Sequence, residues 1–157
     1  MNPAILSHIR RIDILFGKIS SISDPKDQSE WSKYLCVLVS GFIEESVRVI
    51  LEQYCKTRAP VNIQNFVICE ISSLTNCKTN RISTILRQFS QTWEREFVEE
   101  IDKRSSAVDE IKNSMDSVVA NRHLIAHGRN VGITYATITR YYKCVKVAVE
   151  VLEGVVK

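Results

Sequence analysis

The stretch from Val108 to Gly128, VDEIKNSMDSVVANRHLIAHG, decides how the rest of the chain is read. Its apolar residues recur at helical spacing, with Ile111, Met115, Val118 and Ile125 on one stripe. A glycine stands where such a helix would end. One member of the stripe breaks the pattern, because Arg122 is a permanent cation. A guanidinium buried without a partner is costly, so Arg122 must meet a carboxylate, a phosphate or a subunit boundary.

The surrounding chain of 157 residues is 45% hydrophobic and 25% charged, an ordinary globular balance, and long enough for one real core. A single domain spanning residues 1–157 is expected. With only 5 Gly and 3 Pro, the chain lacks the frequent turns of a β-sandwich, which favours helices. A net charge of +3 permits an anionic partner without requiring one. The 5 cysteines form no CxxC pair. Cys36, Cys55, Cys69 and Cys144 lie inside apolar helical patterns, as small hydrophobes do, which suits a reducing cytoplasm. No basic patch followed by an apolar run opens the chain, so no signal peptide is expected. The longest apolar run, Leu35 to Ile43, is too short to span a bilayer, and no membrane partner is expected.

Helical patterns fill most of the chain. Residues 3 to about 22 carry Ile5, Ile9, Ile12, Phe16 and Ile19 on one face behind Asn2-Pro3. A turn at Ser23–Asp27 leads to a long helix from about Ser29 to Lys56, apolar over so wide an arc that it belongs at the centre of a bundle. Glu45 interrupts one of its stripes, much as Arg122 interrupts its own. After Pro60, short helices are expected near Ile63–Leu74, Asn80–Phe89 and Thr92–Ile101, then a polar turn with a serine cap at Ser105-Ser106. The helix from Val108 follows, and Thr134 caps a last helix with Ile138, Tyr142, Val145, Val149 and Leu152 on its inner face. The expected fold is all-α, a helical bundle with a four-helix core and additional short helices.

Arg122 and His127 are five residues apart, so a straight helix points them roughly 140° away from each other. Gripping one phosphate together needs one of two devices. The helix end can re-aim His127, which Gly128 would permit. Alternatively, a two-fold dimer can bring Arg and His from two copies to a shared cleft. Either way the residue types suit RNA cleavage without a metal. An imidazole titrates near neutrality and can move the proton of a ribose 2′-hydroxyl, while a guanidinium holds the phosphate and offsets its developing charge.

The Arg-x4-His spacing, embedded as ANRHLIAHG, resembles the signature of the HEPN superfamily. The acid-bearing helix SGFIEESVRVILEQY, the middle helices and the segment GITYATITRYY are similar to the RiboL-PSP type of HEPN domain, from about Leu35 to Leu152. The resemblance implies a helical-bundle homodimer with its active site at the dimer interface. It further implies a metal-independent endoribonuclease of a toxin–antitoxin, phage-defence or stress-response system, with RNA as substrate and no cofactor. Arg122 and His127 then occupy the catalytic positions, and Asn121, His123 and Arg129 contact RNA or support the pair. Glu45 or Glu44 matches the helix acid, and the interrupted stripes favour Glu45 as partner of Arg122. An antitoxin or neighbouring gene product would be a further partner. However, Arg129 stands where toxins neutralised by nucleotide transfer often carry tyrosine, which argues against a nucleotidyltransferase antitoxin.

Blander alternatives stand beside these. Arg122 alone reads as a salt-bridge residue, His127 as a helix C-cap partner, His123 as a solvated side chain and His8 as an incidental surface residue. Asp116, His123 and His127 share a stripe, but the glutamate of a zincin motif is missing, and no metal is expected. Tyr135, Tyr141 and Tyr142 suit either base stacking or core packing. Arg129 and Arg140 are in sequence reach of the motif, while Lys78, Arg81 and Arg87 read as a wet face. The rival function is a non-catalytic HEPN-like module for dimerisation or for binding nucleotide or RNA.

Overall fold

The computed structural model describes residues 1–157 as seven helices without a strand. They are α1 (Pro3–Ser20), α2 (Pro25–Arg58), α3 (Val61–Ser72), α4 (Thr79–Phe89), α5 (Gln91–Arg104), α6 (Glu110–Ala126) and α7 (Tyr135–Val155). The all-α expectation is met, and no helix is long and apolar enough to cross a membrane. One apolar core draws buried side chains from every helix.

Local chemistry sets the boundaries. Asp24 caps α2, its carboxylate accepting from the N–H groups of Lys26 at 2.7 Å and Asp27 at 3.3 Å, with Pro25 in the first turn. The helix therefore starts four residues before the expected Ser29. It packs against α1, α3, α6 and α7, as its wide apolar arc requires. Ser90 adopts an extended backbone and separates α4 from α5. The expected start of α6 near Val108 is displaced to Glu110, because Asp109 takes a left-handed conformation and Val108 stands 91% exposed. Ser105 still serves this helix from a distance, its hydroxyl accepting from Ile111 N–H at 3.3 Å. Thr134 caps α7 as expected, accepting from Thr137 N–H at 3.2 Å.

Two sequence expectations need correction. Cys69 does not behave as a core hydrophobe, since its helix buries only Ile71 and leaves the thiol exposed. Cys77, in the loop before α4, is the buried one, and burial pushes its thiol up to about 11. His8 is no incidental surface residue either. Its ring meets Phe42 of α2 edge-on, with centroids 5.2 Å apart. Burial, with the charge of Arg11, lowers its pKa below the ordinary value, and Glu45 opposes them.

A histidine held neutral in the folded state is protonated first in the unfolded chain. Its contribution to stability is therefore complete above about pH 6.5 and declines as the pH falls through that value. The melting temperature should drop between pH 7.5 and 5.5, and His8→Gln should flatten that drop in a thermal-melt series. An unchanged pH dependence in the variant would remove His8 from the explanation.

Candidate functional site

α6 lies along α2, and its second half is fastened there by backbone rather than by charge. The Cys36 thiol donates to Val118 O at 3.5 Å. Burial pushes that thiol up to about 12, slightly offset by the nearby backbone N–H of Arg122. The apolar stripe holds to Val118, where Ile111, Met115 and Val118 are all buried, and then opens so that Arg122 and Ile125 are only half-buried.

The helix ends in a Schellman motif. Gly128 N–H donates to Ile125 O at 3.0 Å and Arg129 N–H to Leu124 O at 2.9 Å, with φ +67° at Gly128. Val131 and Ile133 then bury themselves in the core, so the connection to α7 is held at both ends. Tyr135 secures the start of α7, its hydroxyl donating to Phe16 O at 2.9 Å.

Gly128 bends the chain after His127 without turning His127 itself. That residue keeps φ −93° and ψ 15°, and its N–H donates to His123 O at 3.2 Å. Its ring therefore stays in helical register with His123, with centroids 4.4 Å apart and planes at 62°. Both imidazoles are exposed. The device in which the helix end re-aims His127 towards Arg122 is not realised.

The expected pairing of Arg122 with Glu45 or Glu44 does not occur. Glu45 is bound to Arg48, one turn on, at 2.7 Å. Glu44 is buried, and its carboxylate accepts from Asn76 N–H at 2.8 Å, which holds the left-handed Asn76 in the loop before α4. The physical reason is axial distance. Arg122 lies beside Cys36, so Glu44 is about two turns, roughly 12 Å, further along α2. No ion pair or side-chain hydrogen bond within the chain engages the Arg122 guanidinium. None of the main clefts of a single chain is lined by Arg122 or His127.

The other candidates divide. Asn121 turns back on its own helix, donating to Ser117 O at 2.9 Å, and Arg129 is exposed just beyond the cap. Asp116 is drawn away from the histidines, because its carboxylate accepts from the N–H of Thr79 at 2.8 Å and the hydroxyl at 3.0 Å. Tyr142 is core, stacked on Phe16 at 4.8 Å, whereas Tyr141 lies half-buried with Arg140 above its ring at 5.5 Å. Arg87 pairs with Glu94 at 3.6 Å. Sequence patterning missed that Glu44 and Asp116 clamp the loop between α3 and α4 from two helices. No spacing signals such a contact across 32 and 37 residues.

Removing a buried acceptor leaves Asn76 N–H unpaired. Glu44→Ala should therefore cost about 1–3 kcal/mol in urea unfolding. Glu45→Ala, at an exposed helical pair, should stay within about 0.5 kcal/mol. The opposite ranking would restore Glu45 as the structural acid.

No curated protein and no solved structure was found to match the chain. The RiboL-PSP-HEPN family, by contrast, matches residues 5–157, nearly the whole chain and the whole of the bundle that holds the α6 terminus. The chain belongs to the RiboL-PSP-HEPN family of HEPN-type domains.

Proposed function

We propose that this protein is a metal-independent endoribonuclease in which Arg122 holds the scissile phosphate and His127 moves a proton of the reaction. The observation that carries this is the unpaired Arg122. A half-buried guanidinium with no carboxylate in its own chain is matched to a phosphate or to another subunit. The exposed imidazoles of His123, the next residue, and His127, five residues on, supply the acid–base chemistry that RNA transesterification needs.

His127 stays in helical register, so one helix end cannot close on a single phosphate with both residues. A two-fold homodimer resolves this, each cleft taking Arg122 from one copy and His127 from the other. The 2′-oxygen attacks phosphorus, the bond to the 5′-oxygen breaks, and the products carry a 2′,3′-cyclic phosphate and a 5′-hydroxyl. Asn121, His123 and Arg129, which flank the two catalytic positions in sequence, would contact RNA or support the pair. A toxin–antitoxin, phage-defence or stress-response system is the setting that membership of this family supports, with RNA as partner and an antitoxin or neighbouring gene product as regulator.

The test is incubation of the purified protein with mixed tRNA and mRNA in EDTA. The wild type should release fragments with cyclic phosphate ends. Arg122→Ala and His127→Ala should each lower the rate by about 100-fold or more with their helical circular dichroism unchanged. If instead Arg122→Ala unfolds the protein, or a folded wild-type dimer cuts nothing, the residue serves a non-catalytic HEPN-like module.

A further inference from the structure

His123 is the residue of the motif helix whose placement asks for more than a role beside the RNA. It stands one turn before His127 on the same exposed ridge, its ring centroid 4.4 Å away. Neither ring is hydrogen-bonded to the protein or paired with a carboxylate. The one acid on their ridge, Asp116, is committed to Thr79. A structural imidazole usually has a partner that fixes its orientation. These two have only each other, and both rings are exposed beside a helix end that the Schellman hydrogen bonds close.

We infer that His123 and His127 are an acid–base pair that divides the two proton transfers of RNA cleavage. The inference rests on the ribonuclease activity proposed above and names a second catalytic group for it. The chemistry requires two groups. In an in-line displacement the attacking 2′-oxygen and the departing 5′-oxygen lie on opposite sides of phosphorus, and one imidazole cannot serve both at once. Two imidazoles on one ridge can. One, neutral, takes the 2′-hydroxyl proton as the bond from that oxygen to phosphorus forms. The other, protonated, gives its proton to the 5′-oxygen as the bond from phosphorus to that oxygen breaks. The pair ends with its proton exchanged between the rings, and solvent water returns it to the starting state. No metal or further reactant enters the balance. The positive charge that steadies the phosphate comes from Arg122, which points to a different side of the helix from both rings and so belongs to the other copy of the dimer.

The experiment compares two oligoribonucleotides of the same sequence, one natural and one with sulfur in place of the scissile 5′-oxygen. A thiolate departs without needing a proton, so the sulfur substrate does not need the general acid. His123→Gln and His127→Gln are assayed on both in EDTA. Each variant should cut the natural RNA about 100- to 10,000-fold more slowly than wild type. On the sulfur substrate exactly one of them should return to within a few-fold of the wild-type rate, which identifies it as the acid and the other as the base. His123→Gln cutting natural RNA at the wild-type rate overturns the pair, as does rescue of both variants or of neither. A wild type that cuts neither substrate overturns the ribonuclease itself, so the two failures are told apart.

Discussion

A helix that is apolar around most of its circumference must be surrounded, and α2 imposes that condition on this protein. Thirteen of its residues are buried. Its neighbours α1, α6 and α7 each present a complementary stripe, α3 adds the single buried side chain of Ile71, and Phe89 of α4 and Trp93 of α5 pack on Tyr54. Burial of this kind supplies roughly 25 cal/mol for each Å² of apolar surface removed from water, so the bundle is held mainly by α2 and what covers it. The two part-buried carboxylate contacts, from Glu44 to Asn76 and from Asp116 to Thr79, then fix the loop between α3 and α4. They add position rather than bulk.

That frame leaves the end of α6 rigid and poor in partners. Schellman hydrogen bonds close the helix and two apolar side chains anchor the loop beyond it, while the thiol of Cys36 holds its flank. An L-residue at Gly128 would carry the strain of a left-handed backbone, about 1 kcal/mol, although a Cβ there would meet no neighbour. The consequence is geometric. The backbone holds Arg122 and His127 on different sides of α6, and a half-buried cation without a carboxylate stands beside a helix end bearing two exposed imidazoles. A second copy and an RNA phosphate complete such a surface in the function proposed here.

Much of this was legible in the sequence because the responsible forces are periodic. The apolar stripes of α1, α2 and α7, the Thr134 cap and the Gly128 stop follow from spacing and residue type, and the structure has them where they were expected. Asp24 and Asp109 moved helix starts because a cap or a left-handed residue acts locally, below the resolution of a hydrophobic pattern. The misread concerned side-chain partners. Arg122 and Glu45 each interrupt an apolar stripe, and pairing them seemed natural. Which turn of α6 meets which turn of α2 is set by the packing of whole helices, and it puts Arg122 near Cys36, while Glu45 pairs within its own helix with Arg48. The juxtaposition of His123 and His127, one turn apart, was readable; that Asp116 turns away from them was not.

The central claim is that the site is built from two copies, and subunit mixing tests it most directly. Arg122→Ala and His127→Ala proteins, each nearly inactive alone, are unfolded together, refolded and assayed on RNA in EDTA, with mixed dimers verified by mass. A dimer holding one of each has one cleft with both groups intact. An equal mixture should therefore recover about a quarter of the wild-type rate, since about half the dimers are mixed and each has one working cleft of two. Verified mixed dimers that remain as inactive as their parents would place Arg122 and His127 in the same chain's site and contradict the account.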